Sequence, residues 1–324
     1  MNARYTEFDI MKGIGILLMI IGHLTPYLTN VIFSFHMPMF FIISGYFFKP
    51  TPISSRIKYD LRRLIIPYIF TCTIIIAFYL VLSISQQKDL MSNIITAALY
   101  GSGTTQPSIF FSDIPMIGAI WFLPAMFWCR NAYNILFQKS KHTLITSFVI
   151  SILAILLHRL ISLPMAINQG LTALLFYAIG VKAREIGAPG SIKKTYSCLL
   201  ICAWVLAFTT SSLSMVKCTY KFLPLDILGA IGGTIVVYYI SLFIKNIKPV
   251  SSILTYIGIN SLTFLCIHLI DLDAPTSWIF GIGQEYKIFY DLAFCIIVVF
   301  LFSKIRITRD IYGIKQPRQI WNSH

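Results

Sequence analysis

The sequence has little charge of either sign, and acidic residues are the scarcer kind. Charged residues fill 12% of its 324 positions against 57% hydrophobic, and only 12 are Asp or Glu. Soluble domains carry about 25% charged residues, so this chain lacks the polar surface of a water-soluble globule. The deficit excludes a disordered chain, which needs high polarity, and a typical cytosolic enzyme. Cysteine is sparse too. Seven residues, at 72, 129, 198, 202, 218, 266 and 295, lie mostly inside apolar runs, with no paired CxxC ligand pattern. That excludes a disulfide-stapled secreted module and leaves buried small hydrophobes. Internal repeats, interdomain linkers and a stretch polar enough for a soluble domain are also missing, so residues 1–324 read as one transmembrane domain.

What is present is apolar sequence, with a mean hydropathy of +0.77. Ten candidate membrane helices fall at 11–28, 31–48, 64–84, 116–137, 143–161, 165–181, 196–213, 222–244, 252–270 and 287–303. Most approach the ~20 residues needed to cross hydrocarbon. The stretch 90–100 reads as a small interfacial helix, and 101–115, rich in Gly, Ser, Thr and Pro, as an irregular loop. Glu7 and Asp9 precede the first run and no small-residue cleavage pattern follows it, so it reads as a retained span and not a signal peptide. The expected fold is all-α, a polytopic membrane helix bundle.

The formal charge of +14 comes from 26 basic residues in short clusters between the apolar runs. With the N-terminus in the cytoplasm, 21 of those 26 fall on the inner side, and the two sides sum to +16 and −2. Such asymmetry predicts an even number of crossings, both termini cytoplasmic, and a multi-pass protein of the inner (plasma) membrane. A nucleic-acid partner is not expected, because no apolar-free domain exists to carry a basic stripe.

The polar residues inside spans carry the functional signal. Asp9, Lys12 and Gly22-His23 mark the first span; Phe35-His36-Met37-Pro38 and Ser44-Gly45 mark the second. His23 and His36 sit six or seven residues either side of the intervening turn, which puts both some ~10 Å below it at the rise of an α-helix. Ionisable residues in spans are costly and usually functional, and histidine suits general-base work near neutral pH. Hydrogen bonds between helices are the plainer explanation for either histidine alone. A metal site from His23, His36 and His268 with Asp271 or Asp273 matches no known ligand spacing, so no metal is expected. The cluster Arg56, Lys58, Arg62 and Arg63 reads equally as inner-face anchoring and as a seat for a phosphorylated ligand. Trp121 fits an interfacial belt. Asn260, Ser261 and His268 recur at offsets of seven and eight on one face of the ninth span; helix–helix contacts account for the first two.

These residues resemble a known family. The block Asp9, Lys12, Gly13, Gly22-His23, Phe35-His36-Met37-Pro38, Phe40-Phe41 and Ser44-Gly45 is similar to the opening of the integral-membrane acyltransferase 3 family. Lys12 and His23 meet its pattern of a basic residue, ten residues, then histidine. Arg63-Leu64 with Pro67-Tyr68, Trp121-Phe122-Leu123, and Gly258 with Asn260-Ser261-Leu262 leading to His268 extend the likeness along the chain, which looks like the fucose 4-O-acetylase-like branch. The resemblance implies a membrane O-acyltransferase that moves an acetyl group from acetyl-CoA to a sugar hydroxyl of a surface glycan or its lipid-linked precursor. It implies His23 and His36 as catalytic residues. Lys12, Arg56, Lys58, Arg62, Arg63 and Trp121 become expected contacts of the acyl-CoA. Asp9, Ser44, Asn260 and His268 become expected contacts of the acceptor. Lys12 stands where many relatives have arginine, which keeps the charge and loses the bidentate fork. A secondary transporter or flippase is the rival class, but the chain shows no inverted repeat and no carboxylate at mid-span.

Overall fold

The computed structural model describes residues 5–25, 27–83, 88–106, 114–273, 281, 283 and 286–316. Among these, nearly all regular structure is helical. In chain order the helices are α1 (Thr6–Leu24), α2 (Thr29–Phe33), α3 (His36–Tyr46), α4 (Ile53–Asp60), α5 (Ile66–Ser83), α6 (Lys88–Tyr100), α7 (Phe122–Lys139), α8 (Thr143–His158), α9 (Ile167–Thr172), α10 (Leu174–Glu185), α11 (Lys194–Thr210), α12 (Leu223–Ile244), α13 (Lys248–Ile259), α14 (Ser261–Asp273), α15 (Lys287–Lys304) and α16 (Arg306–Tyr312). A π-helical turn, Leu61–Ile65, joins α4 to α5. A short antiparallel hairpin pairs β1 (Leu213–Ser214) with β2 (Thr219–Tyr220).

Among the described residues, two helical segments are long and apolar enough to cross a membrane, Ile53–Leu80 and Leu223–Ile244; two bent pairs qualify when each is taken as one span, α13 with α14 at 76° and α15 with α16 at 111°. Several runs that read as single spans are broken. The second splits into α2 and α3 at Ser34-Phe35, and the ninth splits at Asn260. The interfacial stretch 90–100 is helical, within α6. The loop expected at 101–115 is irregular, with one bridge between Gln106 and Ile114; residues 107–113 lie outside the described ones.

Glycine sets how closely the central helices approach. Gly45 of α3 faces the Tyr177 carbonyl of α10, and Gly180 of α10 faces the Ile42 carbonyl of α3. Gly13 of α1 and Gly258 of α13 make the same exchange with the carbonyls of Leu254 and Asp9. A Cβ at any of the four would overlap backbone oxygen, so these seams admit no larger residue. Gly180→Val is therefore expected to destabilise the protein by more than about 2 kcal/mol, as overpacking of a fixed backbone contact does. A thermal-shift measurement in detergent giving the parental Tm would contradict the seam.

Two larger apolar clusters fill the bundle. One packs Phe41, Trp121, Tyr133 and Tyr177 between α3, α7 and α10. The other packs Ile20, Tyr68, Leu265 and Cys295 between α1, α5, α14 and α15. A cavity opens between them.

Candidate active site

The cavity holds about 350 Å³. Lys12, Arg56 and Arg130 line it, His36 lines it, and the rest of its wall is largely apolar, with Met19, Phe40, Phe122 and Leu265 among its members. Lys12 and His23 lie on one helix, α1, eleven residues apart, or about 16 Å along the axis. The basic residues thus mark one end of the bundle, and His23 lies well toward the other.

Sequence periodicity explains the basic end. Arg56, Asp60 and Leu64 recur every four residues and turn to the protein interior, where all three are buried. Asp60, fully buried, takes an ion pair from Arg130 at 3.0 Å and a long hydrogen bond from Asn131 Nδ2 at 3.4 Å. Arg56 Nη2 donates to the Lys49 carbonyl at 2.7 Å and to Thr51 Oγ1 at 3.2 Å. Arg56 Nε and Arg130 Nε are both buried without a hydrogen-bond partner among the described residues. Two guanidiniums on one cavity therefore retain donors for an anion.

The other expected cations lie elsewhere. Lys58 and Arg62 are exposed. The Arg63 guanidinium packs against Gly313 just after α16, where a φ of +64° favours glycine. Lys12 lines the cavity and pairs with Asp9 at 2.7 Å. Trp121 is buried beneath Gly103 and Val216 and is not part of the cavity wall. Ser44 does line it. Asn260 clamps the chain after α16: its Oδ1 accepts from Lys315 N at 2.8 Å, and its Nδ2 donates to the Lys315 carbonyl at 3.2 Å.

The histidines form a chain at the far end. His268 of α14, fully buried, places Nδ1 2.8 Å from Asp291 Oδ2 on α15. Its Nε2 lies 3.3 Å from His23 Nδ1. The two imidazole planes are nearly parallel, meeting at 20° with centroids 5.4 Å apart. Phe33 sits between His23 and His36, with ring centroids 5.7 Å from the first and 5.0 Å from the second. His36 Nδ1 lies 3.0 Å from the Ile32 carbonyl. Since a carbonyl only accepts, that nitrogen carries the proton and Nε2 keeps its lone pair. Asp271 is buried near this chain; the Asp273 side chain lies outside the described residues.

Three members of these clusters escaped the sequence reading: Asp291, Arg130 and Asp60. Asp60 carried a signal, as the single carboxylate inside the run Arg56 to Arg63. Arg130 carried a weaker one, as a cation beside Asn131 in an apolar helix.

Residues 5–305 match the acyltransferase domain of the acyltransferase 3 family. The chain belongs to that family. It is a membrane protein, with apolar helices to match. It is also similar to nodulation protein NolL of Sinorhizobium fredii, at 32% identity over 143 residues that cover 39% of this chain and 34% of that protein. A second likeness is to nodulation protein NolL of Mesorhizobium japonicum, at 35% over 91 residues, covering 23% of this chain and 24% of that protein. These matches span about a third and a quarter of the relatives' lengths. No solved structure matches the chain.

Proposed function

We propose that this protein is an O-acyltransferase of the bacterial inner membrane. It moves an acetyl group from acetyl-CoA to a hydroxyl of a sugar in a surface glycan or its lipid-linked precursor. About ten crossings place both ends in the cytoplasm, the arrangement favoured by the basic excess of the inner segments. The observation that carries the reading is one cavity lined by three cations and by a histidine that shares the Phe33 ring with a second histidine. Family membership favours transfer over the rival transport reading.

The donor enters from the cytoplasmic side. Arg56, Arg130 and Lys12 hold its phosphates, and the apolar wall receives the pantetheine arm. The acceptor hydroxyl meets the thioester near His23. His23 Nε2 takes the hydroxyl proton as oxygen attacks the carbonyl carbon. The tetrahedral oxyanion collapses, the C–S bond breaks, and the departing thiolate takes the proton back. Ser44, on the cavity wall, donates its hydroxyl to the oxyanion; His36 lines the same wall with its proton held on Nδ1.

The test is transfer by the purified protein in lipid, with radiolabelled acetyl-CoA and extracted lipid-linked glycans. Label in the glycan is expected; a folded protein that binds no acetyl-CoA defeats the proposal. The donor seat has its own check. Arg56→Gln should raise the KM for acetyl-CoA roughly tenfold, the scale of one charged hydrogen bond, while exposed Arg62→Gln changes it little. Equal effects of the two would place the phosphates outside the cavity.

A further inference from the structure

We infer that Asp291, acting through His268, fixes the tautomer of His23 and stabilises the positive charge that His23 passes to His268. This assignment rests on His23 being the base in the reaction proposed above. It concerns a positioning residue on α15, 268 positions from the group it serves.

A carboxylate only accepts, so His268 Nδ1 carries a proton and donates it to Asp291 Oδ2 over 2.8 Å. A neutral imidazole has one N–H, so His268 Nε2 is then an acceptor. Its neighbour at 3.3 Å is His23 Nδ1, which must donate. That leaves the lone pair of His23 on Nε2, and no hydrogen bond among the described residues engages that atom. The carboxylate thus dictates, through two rings, which nitrogen of His23 is the base. The logic is that of a Ser-His-Asp triad, in which the buried Asp holds the imidazole in the correct tautomer, lengthened by one imidazole.

The same chain moves charge. When His23 Nε2 accepts the hydroxyl proton, its Nδ1 proton can pass to His268 Nε2. His268 is then the imidazolium, in direct contact with Asp291, and His23 is neutral with a proton on Nε2. Returning the Nδ1 proton to His23 reverses the step as the leaving thiolate takes the proton from Nε2. One proton enters the chain and one leaves it. The positive charge is met by a carboxylate at 2.8 Å in a site where His268 is fully buried and Asp291 is 1% exposed.

A purely structural role fits less well. Among the described residues the ion-pair partner of Asp291 is His268; Cys295 Sγ lies 4.0 Å from its Oδ2, and Asp271 is buried close to the same cysteine. Burying a carboxylate against one imidazole is costly, and a structural anchor would close on itself instead of ending on a free nitrogen of a half-buried histidine.

The test reads the tautomer directly. Protein with 15N-labelled histidine rings, reconstituted in lipid bilayers, is examined by solid-state NMR, with His23→Gln and His268→Gln assigning two of the six histidines. The parent should show His23 protonated on Nδ1 alone. Asp291→Asn should move a measurable fraction of that proton to Nε2. An unchanged His23 tautomer in Asp291→Asn overturns the inference. This arm needs no acceptor, so it succeeds or fails separately from the acyltransferase reading. In the transfer assay, Asp291→Asn should lower kcat about 10²-fold with an unchanged KM for acetyl-CoA, and should lower nothing further in a His23→Ala background. A rise in donor KM with kcat preserved would mean that Asp291 merely supports the fold. Should Asp291→Asn fail to fold, His268→Gln replaces it. Its amide oxygen still accepts from His23 Nδ1 but passes no proton on, so the tautomer should persist while kcat falls. Parental kcat in that variant would sink the charge transfer.

Discussion

His23→Ala should lower the rate of acetyl transfer by about 10³-fold while acetyl-CoA binds as tightly as to the parent. The size follows from what a positioned general base contributes, roughly 10²–10⁴. The separation of rate from binding follows from geometry. The cations that would hold the donor line the cavity, His23 does not, and Lys12 stands eleven residues away from it on α1. His36→Ala should behave differently. His36 lines the cavity, so its loss should raise the donor KM as well as lower kcat. Isothermal binding of CoA alongside single-turnover transfer distinguishes the two variants. Transfer that survives His23→Ala would hand the base to His36, whose Nδ1 is tied to the Ile32 carbonyl and whose Nε2 is therefore also a free base. In that case the chain from Asp291 would serve packing instead of chemistry.

The membrane character, the helical class and the family were legible because each rests on local pattern. Apolar run length, positive clusters and the block from Asp9 to Gly45 are all contained in contiguous sequence. The nearness of His23 to His36 was legible too, since a short turn leaves an antiparallel hairpin little choice, and Phe33 does lie between them. The breaks at Ser34-Phe35 and Asn260 were not. An apolar run reads as continuous whether or not the helix bends, and Asn260 leaves the helix while holding Lys315, a partner 55 residues on. The site was legible only where its members share a helix. Arg56 and Arg62 look alike in sequence, yet helical phase turns one inward and the other outward. Asp291 reads as one more acidic residue on the outer side until the fold brings α15 against α14 and His268 takes its carboxylate.

Arg130→Met carries the largest stability effect expected at the basic end. Asp60 is fully buried, and Arg130 is the cation at 3.0 Å from it. That contact is close but lies off the hydrogen-bond direction, since Asp60 Oδ1 has no hydrogen-bond partner among the described residues. Its worth is therefore chiefly Coulombic. Asn131 contributes only a long bond to the other oxygen, at 3.4 Å. Removing Arg130 leaves the buried carboxylate with only the weaker field of Arg56 and the long Asn131 bond, and breaking a buried pair from one side costs about 3–5 kcal/mol. Arg130→Met should accordingly melt well below the parent. Asp60→Asn with Arg130→Met should recover much of that loss, because the under-compensated charge is gone. Neither variant should bind acetyl-CoA as the parent does, because both lack a cation of the cavity wall. Stability and donor affinity thus part company in the double variant. If affinity returned with stability, Arg130 would be a counter-ion for Asp60 and nothing more, and the donor seat would reduce to Arg56 and Lys12.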